Sequence, residues 1–182
     1  MRNSAIVLPA NTTFVDDCAA DRRTAMGAFF TERFPEEIGG LPALLKEILN
    51  YKGIRPVEDG QYEPATTVLL PDRFAKPERV VVTASTTRIA KAGITSTPYI
   101  ICRCVEEILK ITADERVDTL YMPILGSGHG GVERGMALMF LLLSILHFSK
   151  FHHYIHKVHI VVHPKDVDAL NDSKEFRQIL AL

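Results

Sequence analysis

Four glycines fall within six residues in the run Gly126-Ser127-Gly128-His129-Gly130-Gly131. A loop of this kind lets the backbone approach a ligand closely and take positive φ. The run Thr119 to Leu125 before it reads as a strand, and Gly135 to Phe148 after it as a helix that is apolar nearly all round. In open α/β sheets, ligands bind outside the carboxyl ends of strands. Loop N–H groups there, together with the following helix N-terminus, favour an anion, typically a phosphate. The loop is not a P-loop, because no Gly-Lys-Ser/Thr follows. Gly126, Gly128 and Gly131 match G-x-G-x-x-G, which alone is a weak signal. A tight strand-to-helix turn also uses glycine, but four exceed what a turn requires, so phosphate binding is the favoured reading. His129 sits in the loop, a poor place for a core histidine, and reads as a donor to a phosphate or ribose oxygen. Ser127 is a second donor candidate, with no neighbouring base to make it a nucleophile.

Other residues carry weaker signals. Asp16, Asp17 and Asp21 cluster after the first apolar run. A carboxylate there can take a ribose hydroxyl or orient a water, and a solvated turn with Asp21 as a helix cap explains the same residues. Arg22 and Arg23 can pair with a phosphate, although exposed arginines at a helix start are common. Thr83, Ser85, Thr86 and Thr87 follow the most strand-like run and read first as an ordinary polar loop, second as lining of the ligand cleft. Six histidines, His147, His152, His153, His156, His159 and His163, crowd the C-terminal part. His159 and His163 share one side of a strand but stand roughly 13 Å apart at about 3.3 Å per residue. That is too far for one ion, and His152 and His156, which could pair on a helix, have no third acidic ligand near in sequence. No metal and no cofactor are expected. Cys102 and Cys104 form a C-x-C, not a redox or zinc spacing, and read as small buried hydrophobes.

The elements that must position the loop are legible as patterns. Ser4 to Pro9 is a short buried strand. Asp21 to Phe34 reads as a helix capped by Asp21, with Ala25, Phe29 and Phe30 near one face, stopped by Pro35. Leu41 to Tyr51 is helical, and Gly53 to Pro64 is a loop. Thr66 to Leu70 and Arg79 to Ala84 are β-branched strands. Thr97 to Ile111 is a helix with Ile101, Val105, Ile108 and Leu109 on one face. Lys157 to His163 is a strand, and Asp172 to Leu180 a final helix. The second half alternates strand and helix, and its strands are apolar throughout. That pattern predicts a mostly parallel sheet between helices.

The bulk numbers set limits. The chain has 182 residues, 47% hydrophobic and 24% charged, with net charge −1. One domain, 1–182, of ordinary size is expected, and it can equally be a domain cut from a longer chain. The charge gives no field to attract nucleic acid. Three cysteines form no disulfide framework and fit a reducing compartment. No signal peptide is visible, and the longest apolar stretch, Met136 to Leu146, falls short of the roughly 20 residues of a membrane span. A cytoplasmic protein with no membrane segment is the expectation.

The run YMPILGSGHGG followed by ERGMALMFLLLSIL resembles the macro domain family, which binds ADP-ribose and related NAD-derived nucleotides. The resemblance implies a three-layer α/β/α fold with a mixed, mostly parallel central sheet. It implies that Leu125, Gly126, Ser127, Gly128, His129, Gly130 and Gly131 wrap a diphosphate and the distal ribose. IVLPANTTF is similar to the family's first ligand loop, where an asparagine after a strand faces the distal ribose. Pro9, Ala10 and Asn11 are then ligand-binding residues. LPANTTFVDD and TAMGAFF look like a divergent bacterial macro-type subfamily whose relatives are linked to NAD-derived signalling and antiphage defence. One departure matters. The family places a glycine triplet after the asparagine, whereas TTFVDDCAADRRTAMGAFF holds a single glycine, Gly27.

In hydrolytic members that loop helps position a water, so its altered composition counts against catalysis. It also leaves room for a ligand other than plain ADP-ribose. A recognition or sensor module for the ADP-ribose class is the favoured reading. An ADP-ribosyl hydrolase using Asn11 and Asp17, acting on modified proteins or O-acetyl-ADP-ribose, is the alternative. A scaffold with a vestigial pocket is a third. The expected partner is the small nucleotide itself.

Overall fold

Residues 3–14, 19–89, 93–151 and 154–172 are described by the computed structural model. In chain order the elements are β1 (Ser4–Asn11), α1 (Ala25–Arg33), α2 (Leu41–Tyr51), β2 (Thr67–Leu69), β3 (Arg79–Ile89), β4 (Gly93–Thr95), α3 (Pro98–Asp114), β5 (Thr119–Pro123), α4 (Arg134–Phe148), β6 (Lys157–Val161) and α5 (Pro164–Asp172). The β-branched and apolar runs become strands because they can be buried on both pleated faces. Along β1, Ala5 and Val7 enter one core while Leu8 and Ala10 enter the other.

The sheet order is β2-β3-β1-β5-β6, with β4 pairing only β3. β1 lies parallel to β3 and β5, and β5 parallel to β6, whereas β2 and β4 run antiparallel to β3. The sheet is therefore mixed and mostly parallel. On one face α1 and α2 supply Met26, Phe30, Leu41, Leu45 and Leu49 to a core closed by Val80 and Val82. On the other, α3 and α4 pack Ile101, Val105, Ile108, Leu138 and Leu141 against Val81 and Leu120, and Leu170 of α5 joins them. This is a three-layer α/β/α arrangement. Its parallel strands β1, β3, β5 and β6 end at one common edge of the sheet.

Several boundaries differ from the sequence expectation, each for a local reason. β1 continues past Pro9 to Asn11. The helix expected from Asp21 begins at Ala25, because Thr24 caps it, its hydroxyl accepting from Gly27 N–H at 2.9 Å. Asp21 instead takes Arg23. Ala25 is exposed, and the buried face of α1 is Met26, Gly27 and Phe30. β3 overruns Ala84 to Ile89 because β4 folds back along it, from Thr87↔Thr95 to Ile89↔Gly93. β5 and β6 stop at Pro123 and Val161, two residues earlier than expected. α5 occupies Pro164–Asp172, ahead of the expected final helix, and residues 173–180 lie outside the described residues.

Candidate functional site

The ends of β1, β3 and β5 bring two loops together. β1 and β3 pair in register from Ala5↔Arg79 to Ala10↔Ala84, then skip a residue, so that Asn11 faces Thr86. A bulge of this kind re-aims the side chain beside it. Asn11 is 4% exposed. Its carboxamide oxygen accepts from Thr13 N–H at 3.0 Å and from the Thr13 hydroxyl at 2.6 Å. The turn is completed by Phe14 N–H to Asn11 C=O at 3.2 Å, with Phe14 in the left-handed region at φ 48°. Phe14 tolerates that backbone because its ring is buried edge-on against Tyr62, 5.7 Å between centroids. Thr12 binds the segment to its neighbours through its N–H to Thr86 C=O at 2.9 Å and its hydroxyl to Gln61 Oε1 at 2.7 Å.

The second loop, 124–133, leaves β5 and returns as α4. Its glycines serve different needs. Gly126 has φ 76°, and a β-carbon there would lie 2.8 Å from Ser96 Oγ and 3.1 Å from the Ile101 side chain. At Gly130 a β-carbon would lie 2.5 Å from Gly126 C=O and 2.7 Å from Ser96 Cβ. Gly131 takes φ 73° in open space, and Gly128 has nothing within 4 Å of a β-carbon position. Ser96 is the floor of the loop. Its N–H donates to Gly130 C=O at 2.8 Å, and its hydroxyl donates to Ser85 C=O at 2.7 Å. Two inner bonds close the loop, Gly131 N–H to Gly128 C=O and Val132 N–H to Gly126 C=O, both 3.2 Å. Among the described residues, none accepts from the N–H groups of Ser127, Gly128, His129 and Gly130. Gly128 and His129 are exposed. Unspent backbone donors on a glycine scaffold are the groups from which anion-binding concavities are built.

Two donor groups beside the loop are engaged within the chain. At the N-terminus of α4, Glu133 caps the helix. Its two carboxylate oxygens accept from Gly135 N–H at 2.8 Å and Met136 N–H at 2.7 Å. The Ser127 hydroxyl donates to Ile124 C=O at 3.0 Å.

The remaining candidates separate clearly. Asp21 is bonded by both the side chain and the N–H of Arg23. The Arg23 guanidinium holds its carboxyl down at about 2 against an ordinary 3.8, and the charge of His129 lowers it further. His129 of the second loop therefore lies within electrostatic reach of Asp21 in the first. Asp16 and Asp17 lie outside the described residues. Thr83 is buried and shares a 2.8 Å hydroxyl contact with Thr67, far from a cleft role. Thr86 does reach the site, its methyl 3.0 Å from the β-carbon position of Gly130. Ser85 is 1% exposed, with its hydroxyl unpartnered beneath the loop. Cys104 is core: burial pushes its thiol up to about 12. His159 stacks on Tyr121 at 4.7 Å, and among the described residues no three metal-ligating groups converge. His152 and His153 lie outside them.

Sequence reasoning missed Ser96 and the groove beside α1. The groove holds about 420 Å³ and is lined by Leu8, Ala25, Phe29, Tyr121, Pro123 and Val161, with Arg33 and Glu78 at one end. Pro123 and Val161 close β5 and β6, so the groove reaches the same sheet edge as the glycine loop. Nothing in the local pattern marks a groove made of four separate elements and Glu78.

The sequence matches no protein-family model and no curated protein. Solved structures do resemble it. The Oceanobacillus iheyensis macrodomain with ADP superposes at TM-score 0.67 with 15% identity, over 98% of this chain and 83% of that one. A Trypanosoma brucei macrodomain in complex with ADP-ribose gives TM-score 0.64 at 14% identity, over 97% of this chain and 62% of that one. A Bacteroides thetaiotaomicron protein of unknown function gives 0.57 at 9% identity, over 90% and 89%. With its mixed β2-β3-β1-β5-β6 sheet between two helical layers, the chain has the macrodomain fold.

Proposed function

We propose that this chain binds ADP-ribose, or a related NAD-derived nucleotide, as a recognition module. The observation that carries the reading is the row of four N–H groups from Ser127 to Gly130 with no acceptor among the described residues. A diphosphate supplies acceptors for them, and the loop is already in shape to receive it, so little ordering entropy is lost on binding. The groove between α1 and the ends of β5 and β6 offers apolar walls to a planar base, and its volume falls in the range of small-molecule sites. Asn11, at the end of β1, would take the distal ribose in this reading. Macrodomains with ADP and with ADP-ribose are among the structures this fold resembles, which supports the same ligand class.

Recognition fits the chemistry better than hydrolysis. A general base working near neutrality needs a pKa raised toward 7. Asp21 is pushed the other way, and Asp17, the carboxylate a hydrolase would use, lies outside the described residues. The Asn11 oxygen, which would orient a water, already accepts two bonds from Thr13.

Calorimetry with ADP-ribose tests the proposal. Saturable binding is expected, together with its loss, more than 100-fold weaker, in Gly128→Glu. That position has room for a side chain, so the variant folds and sets a carboxylate among the donors. Absence of heat from the wild-type chain, or unchanged affinity in the variant, overturns the proposal.

A further inference from the structure

From the hydrogen bonds that meet at Thr12, we infer that Gln61 is a positioning residue for the sugar end of the ligand. It acts through the first ligand loop and not on the ligand itself. The inference rests on the proposed ADP-ribose reading, in which Asn11 takes the distal ribose.

Gln61 ends a short segment, residues 57–61, that supplies nothing to either core. The segment is a small hairpin. Glu58 and Gln61 bridge antiparallel, Gln61 N–H donates to Glu58 C=O at 2.7 Å, and Val57 N–H donates to Gln61 C=O at 2.8 Å. Between them Asp59 and Gly60 take φ 45° and 71°. Paired positive values of this kind make the tight two-residue turn of a hairpin. Val57, Glu58, Asp59 and Gly60 are all exposed, so the hairpin buries little. Its effect is to deliver the Gln61 side chain to a fixed place.

That place is the sheet edge carrying the first loop. The Gln61 carboxamide oxygen accepts from the Thr12 hydroxyl at 2.7 Å, from Arg88 N–H at 3.2 Å and from the Thr87 hydroxyl at 3.5 Å. A backbone N–H can only donate, so Arg88 fixes which end of the amide faces inward. The next residue, Tyr62, donates its N–H to Thr12 C=O at 2.7 Å and packs its ring edge-on against Phe14. Thr12 N–H goes to Thr86 C=O. Every polar group of Thr12 is thus held from outside its own loop. Thr12 is fully buried, so it shapes the loop and meets no ligand. Its two neighbours are Asn11 and Thr13, and Thr13 orients the Asn11 carboxamide through its N–H and its hydroxyl. A Thr12 released from Gln61 lets Thr13 shift and leaves the Asn11 carboxamide less fixed. A group held in place before binding costs less to order on binding. Loss of the Gln61 oxygen therefore falls on the part of a ligand that reaches Asn11. ADP, which has no distal ribose, does not feel it.

Calorimetry with ADP-ribose and with ADP tests the inference. The wild type is expected to bind ADP-ribose more tightly than ADP. Gln61→Met keeps the length of the side chain and removes the acceptor. It should weaken ADP-ribose roughly 10-fold, about the worth of one hydrogen bond, and leave ADP unchanged. Gln61→Glu offers an oxygen to the same donors and should restore the preference. Thr12→Val removes the donor and should reproduce the effect of Gln61→Met, with the double variant no weaker than either single one. Gln61 is half-buried and outside the core, so its variants fold, which circular dichroism verifies. If Gln61→Met weakens both ligands alike, or neither, the inference is overturned while the ADP-ribose reading stands. The same holds if Gln61→Glu behaves as Gln61→Met does, or if Thr12→Val leaves the preference intact. No heat from the wild type with either ligand removes the ADP-ribose reading, and the inference with it.

Discussion

A β-carbon has no room at Gly130. It would fall 2.5 Å from Gly126 C=O and 2.7 Å from Ser96 Cβ, closer than side-chain carbons approach their neighbours. Neither obstacle is the free end of a flexible chain, so the loop itself must move. Gly130→Ala should therefore cost about 1–3 kcal/mol, the usual range for overpacking. Gly128→Ala, with nothing within 4 Å, should cost less than about 1 kcal/mol. Urea unfolding of the two variants compares them directly. Equal stabilities would show that Ser96 does not brace the loop. The number of glycines was legible in the sequence, and their division of labour was not. Gly126 and Gly130 are required by Ser96, which comes 30 residues earlier and approaches the loop only because α3 starts beside it.

At the scale of elements, the cap of α4 decides where an anion can sit. A helix N-terminus attracts negative charge because its first N–H groups lack partners. Here Glu133 meets that need at Gly135 and Met136 from within the chain, which in the proposed reading leaves the diphosphate to the loop amides. Glu133→Ala should destabilise the fold by about 1 kcal/mol, the usual value of a helix cap. Sulfate should then stabilise the variant more than the wild type, because the vacated amides of Gly135 and Met136 become available to it. Thermal melts with and without sulfate read both effects, and equal sulfate responses would contradict the capping role. Other elements show what patterning alone conveys. α2 was legible to the residue, Leu41–Tyr51, since its apolar spacing is undisturbed. β3 was legible only over its buried half. From Thr87 onward it leaves the core and pairs with β4, so Thr87, Arg88 and Ile89 lack the buried alternation that marks a strand. At α1 two good caps stood three residues apart, and the choice of Thr24 over Asp21 depends on Arg23 engaging the carboxylate.

The molecule as a whole gathers its binding features on one side of the sheet because its parallel strands finish together. Alternation of strand and helix in the second half foretold that layout, while the groove required knowing that α1 lies across β1, β5 and β6. The two parts of the site make separable demands on a ligand. In the proposed reading the loop takes a diphosphate, and the groove takes an apolar planar group. A ligand that binds only the folded state raises its stability by about 2.7 kcal/mol at 100 times its Kd. In a domain of this size each kcal/mol moves Tm by about 2–4 °C. Saturating ADP-ribose should thus raise Tm by about 5–10 °C. Ribose 5-phosphate at the same concentration lacks both the base and the second phosphate, and should give a much smaller rise. ADP keeps both and should fall between them, losing only the contacts near Asn11. A rise with ribose 5-phosphate equal to that with ADP-ribose would remove the groove from the site. Equal rises for ADP and ADP-ribose would remove Asn11.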